Sequence, residues 1–223
     1  MKNYDKTLVL LPAYNEGKVI SEVVKGLIKS GFGNVLVIDD CSKDNTSDEA
    51  YKAGAIVLRH PINRGAGGAT NTGLEYARRE EDYDYVLMMD SDGQHSIEDA
   101  KKLMSEANRY DVVLGSRMIN PKGMPSHRLI ANRVGSFVTM IFFGLYVTDS
   151  QSGMKVFNKK AIDKIKITFD RFEKDSEIIG EIYRNKLKFK ELPIKVIYTD
   201  HSLSKGQNIM NGFKMIIKFI FRT

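Results

Sequence analysis

A single cysteine, Cys41, stands in the 223 residues, so no internal disulfide can form and none holds the fold. The opening stretch, Met1 to Lys6, is polar and lacks the apolar run of a secretory leader. No segment reaches the ~18–20 apolar residues that span a bilayer. The most apolar one, Val134 to Val147, is interrupted by Ser136, Thr139 and Gly144. Internal repeats and low-complexity linkers are missing as well. These absences exclude a secreted disulfide scaffold and an integral membrane protein, and they predict a cytoplasmic chain.

What is present belongs to a globular protein. Hydrophobic residues make up 42% and charged residues 28%, and the length suits one domain with a substantial core. The net charge is +6. From Lys186 onward there are eight basic residues against Glu191 and Asp200, so the whole excess lies in the C-terminal part. Basic charge of this kind suits nucleic acid, anionic lipid or phosphorylated substrates.

The first half alternates strand and helix patterns. Thr7 to Leu11 is a short apolar run, and Val19, Ile20, Val23, Val24, Leu27 and Ile28 follow at helical spacing. Further strands are predicted at Val35–Ile38, Ala55–Leu58, Tyr85–Met89 and Val112–Leu114, and helices at Asp44–Ala53, Gly65–Arg79 and Ile97–Asn108. Fully apolar strands alternating with helices predict an α/β fold with a mostly parallel central sheet covered on both faces. Ligands bind such sheets beyond the carboxyl ends of the strands. Four polar loops fall at those ends: Pro12–Glu16, Asp39–Asp40, Asn63–Gly68 and Asp90–Gln94.

Asp90-Ser91-Asp92-Gly93-Gln94 carries two carboxylates two residues apart, directly after an apolar strand. Buried together they repel, and a divalent cation between them is the natural neutraliser. Oxygen ligands suit Mg²⁺ or Mn²⁺, with Gln94 adding a carbonyl or a bound water. An isolated Asp-x-Asp is common on surface loops; its place behind Val86–Met89 is what favours the metal. In Asp39-Asp40-Cys41-Ser42, one carboxylate can accept from a nucleobase N–H while the other ties down its loop, and Ser42 or Asp44 can cap the next helix. Asn63-Arg64-Gly65-Ala66-Gly67-Gly68 lets backbone approach a phosphate at a helix start, or lets a helix pack closely; it is neither a P-loop nor a dinucleotide fingerprint. His60, His95, His127 and His201 have no zinc-type spacing.

These motifs resemble the inverting glycosyltransferases of the large second family, with the nucleotide-diphospho-sugar (GT-A) fold. Pro12-Ala13-Tyr14-Asn15-Glu16 looks like the family's opening signature, and Val37-Ile38-Asp39-Asp40 through Thr46 its second. Asp90-Ser91-Asp92-Gly93-Gln94-His95 looks like its metal motif. Later segments resemble one branch, the polyprenyl-phosphate glycosyltransferases, which include dolichyl-phosphate mannose and glucose synthases. Those segments are Gly115-Ser116-Arg117, Asp149-Ser150-Gln151-Ser152-Gly153 and Ser204-Lys205, with Asn63–Gly68. The resemblance implies a glycosyltransferase domain over 1–202, its donor half 1–115 and acceptor half 116–202, followed by a tail at 203–223. It places Pro12, Ala13, Tyr14, Glu16, Asp40, Gly67 and Ser91 around the nucleotide. Asp90, Asp92 and Gln94 become the ligands of Mg²⁺ or Mn²⁺, with Asp90, Asp92 and Arg117 at the reaction centre. Arg117, Arg128, Asn132 and Lys205 become the phosphate and acceptor contacts, although Asn132 stands where the branch usually has serine. The Asp-Ser-Asp-Gly-Gln-His segment and the glycine-rich loop look closer to users of UDP-glucose or UDP-N-acetylglucosamine than of GDP-mannose.

The tail gives separate grounds for a lipid acceptor. On a helical wheel Ile209, Phe213, Ile216, Ile217 and Ile220 share one face, while Lys214, Lys218 and Arg222 lie opposite. This amphipathic helix suits peripheral attachment to the cytoplasmic membrane face, or packing on its own domain or a second copy in a homo-oligomer. Val134–Val147, rich in aromatics, reads either as a second docking element or as a buried core helix. Nucleic acid is disfavoured, because no aromatic platform or basic stripe accompanies the charge. A hydroxyl acceptor would instead need a carboxylate base, and Asp175 or Glu177 is the available candidate. A non-catalytic nucleotide-sugar-binding module is the remaining alternative.

Overall fold

The computed structural model describes residues 4–171 and 173–195; Lys205 and the tail lie outside them. Seven strands form one sheet in the order β3-β2-β1-β4-β6-β5-β7. They are β1 (Thr7–Ala13), β2 (Asn34–Asp39), β3 (Ile56–Arg59), β4 (Tyr85–Met88), β5 (Val112–Ser116), β6 (Lys155–Asn158) and β7 (Phe189–Pro193). All pair in parallel except β6, which runs against both β4 and β5. The expected mostly parallel α/β sheet is therefore present, with one reversed strand near its middle.

The reason lies in the strand sequences. Along β1, Leu8 and Leu10 face one layer while Val9, Leu11 and Ala13 face the other, and all five are buried. A strand apolar on both faces must be sandwiched. On one side pack α1 (Ile20–Lys29), α2 (Thr46–Lys52) and α4 (Ile97–Met104), through Val24, Leu27, Ala50 and Leu103. On the other pack α3 (Ala66–Arg79), α6 (Lys159–Lys164) and α7 (Lys174–Arg184), through Leu74, Ile162, Ile178 and Ile182. Burying each such Leu or Ile contributes about 1.5–3 kcal/mol.

One helix breaks the pattern. α5 (Ser126–Phe143) buries Ser136 and Thr139, while Ile130, Val134, Phe137 and Ile141 on its outer side are 49–61% exposed. The core-helix reading of this segment is thereby excluded, for its apolar side faces outward. Hydroxyl bonds hold the inner side: Ser136 Oγ accepts from Ser150 N (3.0 Å), and Thr139 Oγ1 bonds Ser176 Oγ (2.8 Å). Among the described residues no helix is long and apolar enough to cross a membrane.

Candidate active site

The carboxyl ends of β1, β2, β4 and β5 share one edge of the sheet, and the reversed β6 begins there. Met88 of β4 pairs with Lys155 of β6. Continued two residues beyond, that antiparallel register sets Gly153 opposite Asp90. The contact is close enough that a Cβ built on Gly153 would lie 2.0 Å from Asp90 Oδ2. In the same way Gly115 N donates to Met154 O (2.9 Å), which brings Arg117 to this edge.

Asp90 follows β4 at this edge, with its side chain 53% accessible. Burial pushes its carboxyl up, but the hydrogen bond and charge of His95, with Lys174 and Lys155, hold it well below the usual carboxylate range. Asp92 moves the other way. Its burial and the neighbouring Asp90 push it up, with Glu16 adding to the effect and the bond from Gln94 N (3.0 Å) opposing it. Asp90, Asp92 and Glu16 thus share one field.

Arg117 is half of a buried pair. Its Nε and Nη2 bond Asp149 Oδ2 and Oδ1 at 2.7 and 2.8 Å, and its backbone N–H adds a third bond at 2.9 Å. Burial alone would lower the guanidinium pKa; Asp149 more than offsets that, and Asp90 and Asp175 reinforce it. Two of its five N–H groups serve Asp149, leaving others for an anion. Beneath lies a group the sequence reading missed. Lys155, 1% exposed, bonds Asp175 Oδ1 at 2.6 Å, and Lys174 reaches both oxygens of Asp175 at 3.0 Å. Burial pulls the Lys155 pKa down, and Asp175 opposes that pull.

Several residues expected at the nucleotide make internal hydrogen bonds. The Asp40 carboxylate accepts from His60 Nδ1 (2.8 Å), Arg64 N (2.9 Å) and Gly65 N (2.6 Å), so it organises the β3–α3 loop. Asp39 ties its own loop through Ser42 N and Ser47 Oγ. Ser91 is buried and donates to Pro12 O (2.8 Å), bracing two signature loops together. Gly67 serves close packing: its N–H donates to Asp170 O (2.8 Å), and a Cβ there would lie 1.9 Å from Phe169 O. The glycine-rich loop therefore seats α3 under residues 169–170, the close-packing role that the sequence offers beside the phosphate one. Tyr14, 41% exposed, projects from the end of β1, where Pro12 and Ala13 close the strand. Arg128 and Asn132 sit on the first turns of α5, and the Asn132 amide lies against the sulfurs of Met118 and Met124. Of the carboxylates considered as bases, Glu177 accepts from Thr168 N and Phe169 N and anchors that loop, while Asp175 is held by the two lysines.

Among the described residues no three His, Cys, Asp or Glu side chains converge as a ready cage for a metal ion. The donor set still fits a hard divalent cation. Such an ion typically takes one or two carboxylates, keeps waters and gains the rest from substrate phosphates. Charge supports the fit: Asp90 and Asp92 share a field with Glu16, while the nearby cations Arg117, Lys155 and Lys174 are already engaged by Asp149 and Asp175. An anionic diphosphate entering alone would worsen that imbalance.

The sheet carries paired carboxylates directly behind its central strand β4. Residues 8–166 match the family model described as Glycosyl transferase family 2, and the chain belongs to that family of glycosyltransferases. Its relatives place it more narrowly, in the polyprenyl-phosphate branch. It is 37% identical to the UDP-N-acetylglucosamine–dolichyl-phosphate N-acetylglucosaminyltransferase of Methanococcus voltae, covering 97% of this chain and 96% of that protein. It is 28% identical to the dolichyl-phosphate beta-glucosyltransferase of Saccharomyces cerevisiae, covering 83% and 65%. The fold is shared with glucosyl-3-phosphoglycerate synthase of Mycobacterium tuberculosis, solved with Mn²⁺, UDP and phosphoglyceric acid. There the TM-score is 0.72 at 16% identity, over 97% of this chain and 77% of that one.

Proposed function

We propose that the protein transfers a sugar from a nucleoside-diphosphate sugar to a polyprenyl or dolichyl phosphate, with inversion at the anomeric carbon. UDP-N-acetylglucosamine or UDP-glucose is the favoured donor, and GDP-mannose the alternative. The observation that carries this reading is the carboxylate pair Asp90–Asp92 behind β4, with the Asp149-held Arg117 near enough for the charge of Asp90 to act on it. The relative at 37% identity, named for UDP-N-acetylglucosamine and dolichyl phosphate, supports donor and acceptor class together.

The chemistry asks little of a base. A phosphate monoester has a second pKa of ~6, so at neutral pH its oxygen is already a nucleophile. A bond forms from that oxygen to the anomeric carbon as the bond to the donor diphosphate breaks on the opposite face. What two anions need is compensation, and the free N–H groups of Arg117 face that task, with Arg128, Asn132 and Lys205 as further acceptor contacts. Glu16 and Tyr14 flank the donor's nucleotide. Asp90 and Asp92, with Gln94, would hold Mg²⁺ or Mn²⁺, which when bound stabilises the departing diphosphate. Asp175 and Glu177 are committed to internal partners, which counts against a hydroxyl acceptor needing a free base.

The outward apolar side of α5 supports docking at a membrane surface beside the acceptor residues on its first turns. Polyprenyl phosphate in vesicles, a panel of nucleotide sugars, and reactions with and without chelator test the whole proposal. Asp90→Ala and Asp92→Ala are expected to abolish transfer while melting like the wild type. Turnover that ignores chelator would sink the cation, and product formed only on hydroxyl acceptors would sink the lipid phosphate.

A further inference from the structure

Four histidines looked equally plain in the sequence, and the structure separates two of them. His60 is a satisfied core residue, bonding Asp40 through Nδ1 and Thr72 through Nε2. His95 is as thoroughly buried, with a side chain 5% exposed, but only Nε2 has a partner: Asp90 Oδ2 at 3.2 Å. Its Nδ1 is buried and has no hydrogen-bond partner. Leaving a buried ring nitrogen unsatisfied is unfavourable, so core packing alone does not account for the residue. The carboxylate only accepts, which puts the proton on Nε2.

We infer that His95 is a positioning residue for the cation site, fixing Asp90 by occupying Oδ2 so that Oδ1 is the oxygen left to coordinate. This rests on the cation reading of Asp90 and Asp92. The bare Cα of Gly153 also packs against this carboxylate, so an imidazole and a backbone both limit it. Among the described residues no donor reaches Asp90 Oδ1. A carboxylate bonded through one oxygen and walled on one face has fewer orientations open to it before any ion arrives. Hydrogen bonds from outside the coordination sphere that orient a ligand in this way typically change metal affinity by ~10–100-fold when removed.

The test is Mn²⁺ binding to the full-length protein with UDP present, followed by the paramagnetic resonance of the free ion. Asp90→Ala, His95→Ala and His95→Gln are compared, with thermal melts to confirm folding. His95→Ala is expected to weaken Mn²⁺ at least tenfold. His95→Gln, whose amide can donate to the same oxygen, is expected to recover most of the loss. A purely structural role would give a lower melting temperature in both variants without that rescue, and would overturn the inference. So would Mn²⁺ affinity within twofold of wild type in His95→Ala. If Asp90→Ala also binds Mn²⁺ normally, the cation reading itself fails, which is a different result from His95 failing alone.

Discussion

Replacing Gly153 with alanine asks whether the chain's reversed strand truly sets the reaction centre. The added methyl would lie 2.0 Å from Asp90 Oδ2 and 2.4 Å from both Oδ1 and Cγ, whereas ordinary contact begins near 3.4 Å. Something must move by more than 1 Å. Gly153 is not in the left-handed region, so alanine brings no backbone strain of its own. The Asp90 side chain, open to solvent and held by one hydrogen bond, gives more readily than the backbone beside Gly153, where Ser150 N donates to Ser136 Oγ and Met154 O accepts from Gly115 N. A displacement of ~1 Å at a reacting centre costs on the order of 100-fold in rate, or about 2.7 kcal/mol. The assay is kcat/KM for sugar transfer beside a thermal melt, with Gly33→Ala, whose methyl meets nothing within 4 Å, as control. A fall of that size at a nearly unchanged melting temperature is expected. Wild-type kcat/KM in Gly153→Ala would refute the geometry, and a large drop in melting temperature would show that the loop had moved instead.

Two further outcomes follow from the buried contacts. Asp149→Asn strands the Arg117 guanidinium, and breaking a buried pair costs about 3–5 kcal/mol; for a domain of this size that lowers the melting temperature by roughly 6–20 °C. The Asp149 carboxyl is buried, which raises its pKa, but Arg117 pulls it below its unfolded value overall. Its stabilisation is therefore full above ~pH 4 and is lost as pH falls through the lowered folded value. The acid limb of a pH–stability curve is expected to flatten in Asp149→Asn, and an unchanged limb would count against the pair. Gly67→Ala drives a methyl into Phe169 O and is expected to cost about 1–3 kcal/mol, read as a lower melting temperature. An unaltered melt would return the glycine-rich loop to its phosphate reading.

The parallel half of the fold was legible because its strands are apolar at consecutive positions, as in Leu8-Val9-Leu10-Leu11, and only a two-sided burial explains that. Asp90 and Asp92 were legible for a related reason: charge directly after such a strand emerges at its carboxyl end. The second half was harder. β6 begins with a buried charge, Lys155, and takes its direction from pairing with β4 and β5 rather than from local pattern. The glycine-rich loop offered two equal readings, and the deciding partner, Asp170, lies more than a hundred residues away. Ser136 and Thr139 inside α5, with Phe137 and Ile141 outside, reverse the polarity that helix periodicity is read by. For His95 the spacing was silent, since one hydrogen bond to a neighbour five residues back leaves no recurring signature.

The reversed direction of β6 also has a bearing on how new substrate preferences arise. The chain departs after Ser116 and re-enters at Lys155 on the same rim of the sheet, so the whole intervening stretch is one detour anchored at both feet. Grafting a different detour onto those feet would keep the pairing of β1 to β4, provided that Val147 and Met154, which join the two layers of packing, are kept. Variation in that stretch can thus proceed without altering the parallel strands that lead into Asp40 and Asp90.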